Sequence, residues 1–172
     1  LYAPPPYWWW YARVCKVVQN KSFCNHLLRL LNKRYKYSGD WDKKAVQFSE
    51  THWYRIISNL HANRIKYKDS IWYNSAALQI DKKGFYEYKQ RKFYQSVELD
   101  VFFEDYLLSM FDSIRLHGWV DHAHEYPWAY IARDGNLIKT GNGCHRLAIF
   151  KVLNTNHLFP LKIAGVHKKL SN

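Results

Sequence analysis

The chain has 172 residues, 48% of them hydrophobic, with only 7 Gly and 5 Pro, which supplies a sizeable core and excludes a disordered polymer. Its net charge of +12 lies wholly in residues 1–92, which hold 18 Lys/Arg against 6 Asp/Glu, whereas residues 93–172 hold 8 of each; such a block reads either as the contact for an anionic partner (nucleic acid, an anionic lipid surface or a phosphorylated substrate) or as a well-solvated basic face. No run approaches the roughly 20 apolar residues of a membrane span, and an odd set of cysteines without zinc-finger spacing (Cys15, Cys24, Cys144) argues against a disulfide framework and for a reducing, cytoplasmic setting.

In chain order, an extended Pro4-Pro5-Pro6 lead-in precedes Trp8-Trp9-Trp10, whose rings suit packing onto a domain better than a membrane interface, because no long amphipathic helix surrounds them. Leu27, Leu28, Leu30 and Leu31 predict a helix over residues 25–33. Ser38-Gly39-Asp40-Trp41-Asp42 reads as a turn. Ser49-Glu50-Thr51 caps a helix through Trp53, Ile56, Ile57 and Leu60. Residues 61–70 are polar and basic and read as a surface loop, and residues 71–80 as a helix closed at Gly84. Residues 86–94 interleave Tyr with Lys89, Arg91 and Lys92, a pattern that suits nucleic-acid stacking or an amphipathic strand with its rings in the core.

Ser96 predicts the start of a helix that runs to His117, with Gly118 ending it. Residues 128–132 and 137–139 form a hairpin around Asp134-Gly135. Gly141-Asn142-Gly143 then opens a helix from Cys144 to Leu153, and Pro160 precedes a last strand over residues 161–166.

The glycine loop is the stretch that carries chemistry. A glycine turn feeding a helix aims several free N–H groups at one point, with the positive end of the helix dipole behind them. His145 and Arg146 in the first turn add donors, Arg146 as a bidentate fork. Gly141, Asn142, Gly143, Cys144, His145 and Arg146 are therefore the predicted phosphate cradle. Ser109 and Ser113 either bond a phosphate or bond back to their own helix. Cys144 at a helix start reads as a redox nucleophile or as a residue that merely fits. Asp112, Asp121 and Glu125 are candidate general bases. Asp121-His122-Ala123-His124-Glu125 reads as a surface loop rather than a metal site.

Residues 112–118 (Asp-Ser-Ile-Arg-Leu-His-Gly), the hairpin, the glycine-led helix start and Phe159-Pro160-Leu161-Lys162-Ile163 resemble, in order, the elements of ParB-type domains. Gly143-Cys144-His145-Arg146 looks like the G-C-H-R of sulfiredoxin, and residues 109–115 like that enzyme's hydroxyl-bearing helix. Gly39-Asp40-Trp41-Asp42 and Lys68-Asp69-Ser70 look like a little-characterised ParB-like group. The resemblance covers about 65 residues. It implies an α/β (α+β) ParB/sulfiredoxin-like domain over residues 96–172, a small mixed sheet with packed helices, preceded by a basic, aromatic-rich, mainly helical region over residues 1–95.

It also implies a nucleoside triphosphate, ATP or CTP with Mg²⁺, held by Ser109, Ser113 and the loop from Gly141 to Arg146. Catalytic roles then fall to Cys144, His145, Asp112 and Glu125. The implied activity is that of a phosphotransferase (a kinase) or phosphohydrolase. The alternatives are a non-catalytic DNA- or RNA-binding protein of the same fold and a sulfiredoxin-type cysteine reductase.

Overall fold

The computed structural model describes residues 36–120, 126–141, 143 and beyond to 170. The predicted helix over residues 25–33, Trp8-Trp9-Trp10, Cys15 and Cys24, the Asp121 to Glu125 loop and Asn142 lie outside the described residues. The fold is α+β: helices with two small sheets. The chain divides into two compact units, each assembled from separate stretches on both sides of residue 95.

The first unit comprises Leu1–Thr51, Ala123–Gly143 and Pro160–Asn172. It holds a four-stranded mixed sheet made of β1 (Lys36–Tyr37), β4 (Trp128–Ile131), β5 (Leu137–Thr140) and β6 (Lys162–His167), in the order β1-β6-β4-β5. β6 runs parallel to both neighbours, and β4–β5 is the antiparallel hairpin that Asp134-Gly135 predicts, with Gly135 at φ 81°. β1 was not among the predicted elements: two residues are too few to carry a period, and only β6 defines them as a strand.

Tyr130 is the centre of this unit's packing. It is fully buried and meets Tyr37 and Trp41 edge to face, at 5.6 and 5.7 Å between ring centroids. Beside it the predicted turn at Ser38 to Asp42 folds back so that Asp42 receives the Arg133 guanidinium (2.6 and 2.8 Å) and the Arg133 backbone N–H (3.1 Å). That hydrogen bonding holds the Asp42 carboxyl far below the usual carboxylate range. His167 Nε2 lies 2.8 Å from the Gly39 carbonyl in the same cluster.

The second unit comprises His52–His122 and Cys144–Phe159. Its helices are α1 (His52–Ala62), α2 (Ile71–Lys83), α3 (Ser96–Val101), α4 (Ser109–His117) and α5 (Cys144–Leu153), with the hairpin β2 (Tyr86–Tyr88) and β3 (Arg91–Phe93) between α2 and α3. α2 starts at Ser70, whose hydroxyl accepts the Tyr73 N–H, and stops at Gly84 in the left-handed conformation. α3 and α4 are the single predicted helix, joined through a π-helical stretch, Phe102–Leu108. Its cap is Gln95 rather than Ser96, in a reciprocal capping box with Glu98.

Residues 61–70 are not the surface loop their polarity suggests. Arg64–Asp69 winds into 3₁₀ turns, and Tyr67 is 8% exposed with its hydroxyl donating to Glu104 (2.6 Å). A tyrosine among basic residues hides its ring in the core and keeps its polar end on a carboxylate. Leu60, Phe93, Leu99, Phe103, Leu107, Phe111 and Ile149 form the buried interior.

Candidate functional site

The chain passes from the first unit to the second between Gly143 and Cys144. On the first-unit side, Gly141 and Gly143 both take the left-handed backbone the glycine loop requires (φ 58° and 86°). A Cβ on Gly143 would also come within 2.6 Å of Pro127, so no other residue fits there. Lys139 is buried, and its ammonium donates to the carbonyls of Thr140 and Gly141, the latter at 3.3 Å, which fixes the strand end from which the loop departs.

On the second-unit side, α5 begins at Cys144, as predicted, and its first turn presents Cys144, His145 and Arg146 in three different surroundings. Cys144 is 6% exposed. An attacking thiolate needs access to its target, and this position offers little.

His145 stands in an aromatic box that the sequence did not reveal. Trp72 stacks on its ring at 5.2 Å between centroids, Trp53 meets it edge-on at 4.4 Å and Tyr88 at 5.6 Å. The Tyr88 hydroxyl lies 3.4 Å from Nδ1, and Nε2 is buried with no hydrogen-bond partner. Burial, and then the charge of Lys89, push its pKa down to about 4. His145 is therefore neutral at neutral pH, and the positive charge in the first turn of α5 belongs to Arg146 alone. The signal for this box was Trp and Tyr at positions 53, 72 and 88, too far apart in sequence to be read together.

Arg146 faces a cavity of about 230 Å³ within the second unit, lined by Tyr106, Ser109, Met110, Ser113, Ile114, Gly118, Trp119, Val120 and Arg146. Two predicted serines and the predicted arginine thus line one cavity, the serines on its α4 wall and the arginine from α5. The helix supplies the spacing: residues 106, 109, 110, 113 and 114 lie three and four apart and fall on one face. The guanidinium lies 4.9 Å from the Trp119 ring and makes no hydrogen bond or ion pair within the described residues. Among the described residues no carboxylate lines the cavity. Ser109 spends its one hydroxyl proton on the Asp105 carbonyl (2.6 Å), the back-bonding alternative for helix serines, so of the two serines Ser113 is the one with a proton to offer the cavity.

Asp112 does not join this wall. Its carboxylate is bound by Arg64 and by Arg115 (3.1 Å), which hold its pKa below the usual value. A general base needs a pKa near the working pH, and the two arginines move that of Asp112 the other way. Lys89, by contrast, was not among the predicted site residues, yet its ammonium lies 3.4 Å from the hydroxyl of Tyr106, a lining residue. Among the described residues no three His, Cys, Asp or Glu side chains converge as a metal site, and no helix is long and apolar enough to cross a membrane.

No family model, curated protein or solved structure matches the chain.

Proposed function

We propose that this protein binds a nucleoside triphosphate, ATP or CTP, with its phosphate end in the cavity beside α5, and that it works in the cytoplasm as a phosphotransferase or phosphohydrolase of ParB/sulfiredoxin-like kind. One observation carries the reading: an arginine with no hydrogen-bond or ion-pair partner among the described residues, in a cavity whose described lining carries hydroxyls and no carboxylate. A guanidinium with five unused donors is costly to keep half-buried unless an anion occupies them, and the fork geometry matches phosphate oxygens. The positive end of the α5 dipole adds to the same reading. With no convergent acidic cluster in the described residues, Mg²⁺ would arrive on the phosphates, where its charge offsets theirs.

The test is a thermal-shift screen of ATP, CTP, GTP and UTP with Mg²⁺. Saturating ligand raises Tm by on the order of 5 °C, and Arg146→Ala abolishes the shift while the variant stays folded, because among the described residues Arg146 makes no hydrogen bond or ion pair and lies against the face of the Trp119 ring. A folded sample that none of the nucleotides stabilises removes the proposal.

A second reading, a non-catalytic nucleic-acid-binding protein, is favoured by a different observation. Lys82, Lys83, Lys89, Arg91 and Lys92 are exposed on the end of α2 and on the β2–β3 hairpin, and none has an ion-pair partner among the described residues. Its mark is RNA or DNA binding that weakens steeply with salt and is indifferent to Arg146→Ala.

A further inference from the structure

Lys89 occupies the tip of the β2–β3 hairpin, in a two-residue turn with Gln90. Both residues take left-handed backbone angles, φ 48° and 71°. Turns of this shape favour Asn and Gly, and a lysine or glutamine there is held against its backbone preference. Such a departure calls for a reason in the side chain. The Lys89 ammonium lies 5.3 Å from the centroid of the Tyr88 ring and 5.9 Å from that of Tyr106, and 3.4 Å from the Tyr106 hydroxyl. Tyr106 is a wall of the Arg146 cavity, so the turn delivers a second cation to its rim. Neither cation has a carboxylate partner among the described residues. Two positive charges near one small cavity, neither neutralised by a described carboxylate, raise its potential and favour an anion there.

The size of the cavity says which kind of anion. About 230 Å³ falls below the roughly 300–1,000 Å³ of pockets that enclose a whole small-molecule ligand. It accommodates a phosphate group on Arg146 and leaves the rest of a phosphate chain at the rim, within the sweep of a long lysine.

We propose that Lys89 is a second phosphate-binding residue of this site, engaging a phosphate beyond the one held by Arg146, so that the site selects polyphosphates over monophosphates. This rests on the phosphate-binding reading above. Arg146 sets whether an anion binds; Lys89 sets how many phosphates it must carry.

The experiment is calorimetric titration of the wild type, Lys89→Gln and Arg146→Ala with inorganic triphosphate, adenosine triphosphate and adenosine monophosphate. Lys89→Gln is expected to weaken both triphosphates by roughly 10- to 100-fold, the worth of a hydrogen bond to a charged group. Its effect on the monophosphate should stay under about threefold, within the range of a screened surface charge. Lys89→Arg restores most of the affinity. If Lys89→Gln leaves triphosphate affinity unchanged, or weakens all three ligands equally, while Arg146→Ala abolishes binding, the role of Lys89 is overturned and the cavity reading stands. A wild type that binds none of the three overturns both. Lys89→Asn, which suits the left-handed turn, repeats the test should the glutamine variant fail to fold.

Discussion

His145 illustrates how little a residue's type says about its charge. Beside Arg146 at a helix start it reads as a second cation for an anion, but the box of Trp53, Trp72 and Tyr88 leaves it neutral. The consequence for stability has a definite sign. The unfolded chain takes up a proton at this ring near pH 6.5, whereas the folded protein resists it until about pH 4. His145 therefore costs the fold nothing above pH 6.5 and progressively destabilises it as pH falls from there toward 4. Between pH 7.5 and pH 5 the loss should be about 2 kcal/mol. Urea midpoints at the two pH values check this against His145→Phe, which keeps an aromatic ring in the box and should shed that part of the slope. Equal slopes in the two proteins would mean that the ring protonates freely in the folded state. Arg146 and the two serines were legible because the chain places them at helical spacing near a helix start. The box was not, because its members come together only through the packing of α1, α2 and β2 around α5.

Among the elements, the β4–β5 hairpin was fully legible. Short apolar runs, Trp128 to Ala132 and Leu137-Ile138, flank Asp134-Gly135, and the turn chemistry leaves few alternatives. What the local pattern did not reveal is that Arg133, at the head of that turn, closes onto Asp42 more than ninety positions away in the chain. The Asp42 side chain is 3% exposed and so depends on that partner. Arg133→Met should destabilise the protein by about 3 kcal/mol, the usual result of stranding a buried charge, read as a fall in denaturant midpoint. A loss under about 0.5 kcal/mol would mean that the pair behaves as an exposed one. The β2–β3 hairpin was half legible: Tyr86-Glu87-Tyr88 has the period of a strand, yet Lys89-Gln90 carries none of the usual turn residues. Residues 64–69 were read as loop because polarity was taken for exposure, while the Tyr67 ring is buried by stacking on Phe103.

For the whole molecule, composition indicated enough core for a folded chain, and the order of predicted elements indicated mixed α and β structure; both agree with what is observed. The grouping of those elements was not legible, because a sequence is read in one direction and these units are not. The first draws on residues before 52 and after 122, and the second on α1 and α2 as well as α5. A fragment of residues 96–172 would lack β1, α1 and α2, and with them Ile57, Leu60 and Trp72 of the buried interior. We expect it to give no cooperative unfolding transition by circular dichroism, where the full chain gives one; a sharp transition in the fragment would show that the later residues hold a sufficient core on their own.

The strand order of the first unit also governs when the protein can begin to take shape on the ribosome. β6 is the last strand made, and it lies inside the sheet, between β1 and β4. Among the described residues β1 pairs with β6 alone. β1 must therefore wait while the residues between it and β6 are made, at about 5–20 residues per second, before the neighbour that defines it emerges. The aromatic rings that pack around Tyr130 spend that interval without their full cover, which makes the nascent chain, rather than the finished protein, the stage at which a holding chaperone would matter most.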